Sequence, residues 1–114
     1  MIETKTSVSF VELHPGIRWA CDVISSLWAR EKAGRPVLTA LGDSTHSPGS
    51  LHYGKPGDAR CRALDIRTAG MKPEKVTSVV IELKVFLGPC FDVIIEKDHV
   101  HVEIDAKHDG LEGL

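Results

Sequence analysis

The sequence predicts an α+β fold: one small domain with a mostly antiparallel sheet and two main helices. Three observations predict it. Two stretches carry apolar residues at helical spacing, the closing segment alternates apolar and polar side chains as a strand does, and the elements follow in mixed order. At 114 residues the chain suffices for one domain and is too short for two.

The first element is "SVSF" (7–10), which reads as a short edge strand. "HPGIRWACDVISSLWAREKAG" follows and predicts a helix over 15–33. Proline suits its first turn, and Gly34 suits the position just past its end. Ile17, Ala20, Ile24, Leu27 and Trp28 fall on one helical face, so that stripe is core. "PVLTAL" (36–41) is a strand. Residues 42–61 form a loop rich in Gly, Ser, Pro and Asp, of a length that in so small a domain signals function or disorder.

"RALDIR" (62–67) is the next strand. "KPEKVTSVVIELKVFLG" (72–88) is the second amphipathic helix, entered at Pro73 and ended by Gly88-Pro89. Its buried stripe is Val76, Val79, Val80, Leu83 and Leu87. "FDVIIE" (91–96) and "HVHVEID" (99–105) are two strands joined by the turn Lys97-Asp98. The tail "AKHDGLEGL" is expected to fray.

Composition excludes several classes. A net charge of −2 and a pI near 6.3 leave no basic footprint for nucleic acid. No apolar run is long enough to span a bilayer, so no membrane partner is expected. "MIETKTSVSF" lacks the charged-then-apolar pattern of a secretory signal, which predicts a cytoplasmic protein as synthesised. The odd count of three cysteines and the absent signal argue against a disulfide framework, and the lack of any CxxC pair argues against a Cys-rich zinc site. Cys21 and Cys90 read as small buried hydrophobes. Cys61, beside the histidine-bearing loop, stays open as a ligand.

The closing strand carries the chemistry. Side chains alternate along a strand, so Val100, Val102 and Ile104 share one face, and His99, His101 and Glu103 share the other. Two histidines with a carboxylate suggest a metal, because neutral imidazole is the commonest zinc ligand and carboxylate its regular companion. The two histidines stand roughly 7 Å apart along the strand. One can therefore bind metal while the other works beside it. The remaining ligands must come from the middle of the chain, where His46, His52, Asp58, Cys61 and Asp65 are the candidates.

"SLHYG", "RALDIR" and "DHVHVE" together resemble the zinc D-Ala-D-Ala peptidases. That family includes D,D-carboxypeptidases, vancomycin-resistance dipeptidases and phage L-alanyl-D-glutamate endolysins, and its metal site recurs in lysostaphin and hedgehog-like proteins. The likeness covers about residues 35–105 of a single domain spanning 1–114. It implies a hedgehog-like peptidase fold and a zinc metallopeptidase, probing peptidoglycan stem peptides as substrate. His52, Asp65 and His101 match the zinc ligands. Asp98 matches the catalytic carboxylate and His99 the non-ligand histidine that faces substrate. Ser50 matches a serine that touches substrate. Tyr53 either stacks on substrate or braces the loop, and Glu103 is placed to orient a ligand.

One departure stands out. Twelve residues separate His52 from Asp65, roughly twice the family spacing, which places an insertion at "KPGDAR" or beside it. His46 or Cys61 would replace His52 if the insertion lay elsewhere. The chemistry implied is hydrolysis by a zinc-activated water, with Asp98 as general base. A carboxypeptidase also needs a cation for the terminal carboxylate, from among Arg35, Arg60, Arg62 and Arg67, each expected at the surface. His14 is expected at the surface or as a helix cap, and His108 in solvent. A monomer is expected, and phage or prophage origin would release it to the cell wall. The competing expectation is a non-catalytic zinc-binding phage structural or wall-docking module.

Overall fold

The structure, a computed structural model, describes residues 3–4, 13–40 and 61–105. The predicted strand at 7–10 and the tail lie outside the described residues. So do Ser50, His52 and Tyr53, with His46, Asp58, Arg60 and His108.

The chain is α+β. Its elements run β1 (Glu3–Thr4), α1 (Pro15–Arg30), β2 (Val37–Ala40), β3 (Ala63–Arg67), α2 (Pro73–Leu87), β4 (Phe91–Ile95) and β5 (His99–Ile104). The strands form one sheet in the order β1-β2-β3-β5-β4. β1 joins β2 in parallel, and the other four strands pair antiparallel. No helix among the described residues is long and apolar enough to cross a membrane.

Helix α1 begins where His14 Nδ1 accepts the Gly16 N–H at 3.0 Å, with Pro15 in the first turn. His14 is thus a cap, and it is fully buried rather than at the surface. The helix ends three residues before the predicted boundary. Lys32 takes a left-handed φ of 51°, while the Ala33 N–H reaches back to the Trp28 carbonyl and the Lys32 N–H to that of Ala29. This is a Schellman closure with lysine where glycine is usual. Apolar periodicity does not register it, because the stripe has already finished at Trp28.

Helix α2 starts at Pro73 without a side-chain cap and stops at Gly88, whose φ of +78° suits glycine. Both helices lie on the sheet face that carries Leu38, Leu64, Ile66, Val93, Val100, Val102 and Ile104, and together they form one core. Each large aliphatic side chain buried there contributes about 1.5–3 kcal/mol. Both predicted helix stripes face inward, with Val76 half-buried at the edge. The helices are tied at their rims by Arg30 Nη2 donating to Glu82 Oε2 at 2.7 Å and Lys75 Nζ donating to the Glu31 carbonyl at 2.9 Å.

Two expectations are corrected here. Arg62 is 3% exposed, not a surface residue, because it shares strand parity with the core residues Leu64 and Ile66. Cys61 is wholly buried in the core and its thiol donates to the Ala63 carbonyl at 2.9 Å, so it is no metal ligand in this arrangement. Cys21 is buried as expected, and Cys90 only half so.

Candidate functional site

The open face of the sheet holds the candidate site. β3 and β5 pair with Asp65 opposite His101, Arg67 opposite His99 and Ala63 opposite Glu103. The Ile104 N–H bonds to the Arg62 carbonyl, and the Glu96 N–H bonds to the His99 carbonyl. The odd-numbered residues of β5 therefore turn their backbone toward β4 and the even-numbered ones toward β3. Asp65–His101 and Arg67–His99 are thus non-hydrogen-bonded pairs, the kind that brings facing side chains closest.

His101 lies between two carboxylates. Its Nδ1–H donates to Asp65 Oδ1 at 2.8 Å and its Nε2–H to Glu103 Oε1 at 2.8 Å. Only the imidazolium can donate from both nitrogens. Asp65, then Glu103, accordingly push its pKa up to about 9. His99 is held at its other end: Nδ1 donates to Asp98 Oδ1 at 2.7 Å, while Nε2 stands 3.8 Å from Asp65 Oδ1 and 3.7 Å from Glu96 Oε1. That bond from His99 keeps the Asp98 carboxyl below the ordinary carboxylate range. Asp98 itself is exposed in the β4–β5 turn.

The structure therefore brings together Asp65, Asp98, His99, His101 and Glu103, contributed by two strands and one turn. Among the described residues no three His, Cys, Asp or Glu side chains converge as a closed metal cage. The donor chemistry of Asp65 and His101 nevertheless fits a zinc ion. Ligands at the usual zinc distances lie roughly 3.3 Å apart around a tetrahedron. The 2.8 Å between Asp65 and His101 lies near that edge length. Glu103, bonded to Nε2, leaves Nδ1 as the lone-pair donor once His101 sheds a proton.

Sequence reasoning did not single out two neighbours. Glu96 reaches His99 from across the hairpin turn. Ile94, directly opposite His101 on β4, is 47% exposed on the same face. Strand alternation across the hairpin was the signal for Ile94. Glu96 follows from the same alternation, since it stands opposite His99 as the pair that closes the two-residue turn. A cleft of about 320 Å³ between α1 and α2, lined by Val23, Leu27, Arg30 and Phe86 among others, lies on the helix side and not at the histidines.

No protein-family model, no curated protein and no solved structure matches this chain. The functional reading rests on the residues and their geometry.

Proposed function

We propose that the chain is a zinc-dependent peptidase that hydrolyses peptide bonds in peptidoglycan stem peptides, as a D,D-carboxypeptidase or an L-alanyl-D-glutamate endopeptidase. One observation carries the reading. Asp65 and His101 belong to motif halves far apart in sequence, and the sheet register sets them face to face at 2.8 Å. His99 and Asp98 stand beside them as a linked pair.

Asp65 and His101 would hold the ion, with His52 from outside the described residues as the third ligand. A bound zinc ion supplies Lewis-acid polarisation of the peptide carbonyl and lowers the pKa of water to about 7. Asp98 is ionised at neutral pH, because the His99 hydrogen bond holds its carboxyl low. It receives the proton of the attacking water and hands it to the leaving amine. His99 orients Asp98 through its Nδ1 hydrogen bond and holds Nε2 3.8 Å from Asp65 Oδ1. Glu103 fixes the His101 ring.

The test is metal content by mass spectrometry on wild type, His101→Ala and Asp98→Asn, with muropeptide cleavage on the same samples. The expected result is about one zinc per chain in wild type, loss of zinc in His101→Ala, and retained zinc without cleavage in Asp98→Asn. Zinc present in wild type with no cleavage of any muropeptide would replace this reading with a non-catalytic zinc-binding module.

A further inference from the structure

We infer that two copies of this chain pair antiparallel through β4, centred on Val93, in place of the monomer expected from the sequence. Neither metal nor substrate enters this pairing, so it stands or falls apart from the peptidase reading.

β4 ends the sheet and, among the described residues, pairs with β5 alone. Asp92, Ile94 and Glu96 stand opposite Glu103, His101 and His99, whose backbones turn toward β4. The alternate residues, Val93 and Ile95, therefore turn their N–H and C=O groups outward, and they have no backbone partner among the described residues. The opposite edge, β1, is only two residues long. β4 has five, with no proline, no lysine and no break in its register with β5. Such an edge is a template for a further strand. It is also accessible, since Ile94 and Ile95 are 47% and 51% exposed.

The strand is complementary to itself. With a two-fold axis between the two Val93 residues, all five positions pair. Phe91 meets Ile95 at both ends, Val93 meets Val93, and Ile94 meets Asp92 twice. A shift of two residues either way sets like charges opposite, Asp92 against Glu96 or Asp92 against its own copy, which is destabilising. The centred register is thus selected by charge as well as by overlap.

The shape of the edge agrees. Beside Phe91 the end of α2 leaves a groove of about 510 Å³, lined by Lys84, Gly88, Pro89, Phe91 and Val93 among others. Ile95 shares strand parity with Phe91 and Val93 yet stays half in solvent. Opposite the copy's Phe91, its side chain lies over that copy's groove, and the symmetry fills both grooves at once. Antiparallel pairing keeps both open faces on one side. The two histidine clusters then lie three strand spacings apart, roughly 14 Å across the sheet.

The first measurement is sedimentation of the full chain from about 1 μM to about 1 mM, where a reversible dimer is expected. Ile95→Lys places a charge over the groove. Ile95→Pro removes an outward N–H and leaves the bonds to β5 intact. Each should weaken the dimer at least about tenfold, with melting of the dilute protein near wild type. The register is read by cross-linking in a Cys90→Ser background with oxidised glutathione. Asp92→Cys mixed with Ile94→Cys should give a disulfide-linked pair, because these positions face each other as a close, non-hydrogen-bonded pair. Either variant alone should give far less. A monomer at every concentration overturns the inference and leaves the edge to an added peptide strand. A dimer indifferent to both Ile95 variants, or a mixture that cross-links no better than one variant alone, also overturns it.

Discussion

The two faces of β5 come from the same six residues and do opposite work. Val100, Val102 and Ile104 are at most 2% exposed and close the core under the helices. His99, His101 and Glu103 are each half-buried on the other face and hold the ionisable network. β3 repeats the division, with Leu64 and Ile66 inward and Asp65 and Arg67 outward. Apolar side chains on the covered face gain from leaving water. On the open face, by contrast, charge is kept because each group finds a partner or keeps its water. Stability and chemistry are therefore separable by single substitutions at adjacent positions.

The sharpest break of the comparison is on the open face. On the peptidase reading, Asp98→Asn should lower kcat by about 10²–10⁴-fold, the usual contribution of a general base, while leaving the melting temperature near wild type. A steady-state assay beside a thermal melt checks both halves. Loss of stability with unchanged turnover would show that the turn is structural.

On the covered face the pattern should reverse. Ile66 is wholly buried between Asp65 and Arg67. Ile66→Ala should cost about 2–5 kcal/mol of unfolding free energy in urea titration. On the same reading, folded Ile66→Ala should bind zinc as wild type does, because Asp65 and His101 are untouched. If zinc is lost in proportion to stability, the two faces are coupled.

A smaller effect is expected at the cap. His14 Nδ1 satisfies the Gly16 N–H at the start of α1, so His14→Ala should cost about 1–2 kcal/mol without altering the site.

The last effect is a pH dependence in the metal-free protein. His101 has its pKa raised to about 9 from an ordinary 6.5. Folding therefore favours its protonated form. That contribution is fully present below about pH 6.5 and is lost as pH rises through about 9. The melting temperature of chelator-treated protein should fall over that window, and His101→Gln should flatten the fall. Zinc affinity should run the other way, because protons compete with the metal for the same nitrogen. Equal slopes in the two proteins would mean that His101 is not the group responsible.

Much of this was legible from pattern alone. Period-two alternation in "HVHVEID" separated the core valines from the histidines before any fold was known. Helical spacing identified both stripes, and Pro15 and Pro73 marked both helix starts. Local chemistry was sufficient because each of those features depends on residues a few positions apart.

Other features were not legible, for reasons that are also physical. The end of α1 depended on Lys32 adopting left-handed backbone, which no composition rule assigns to lysine. The burial of Cys61 came with its bridge to Leu13, a contact between distant segments, whereas that of Arg62 followed from a strand parity shared with Leu64 and Ile66 that its chemical type obscured. Likewise, the sequence named four arginines as candidates without ranking them. It also marked Asp65 and His101 as candidate ligands without showing that they touch. Local propensity and alternation fix which face a side chain takes. Pairing of β3 with β5 is a contact between segments more than thirty residues apart, and only the folded sheet decides which residue stands opposite which.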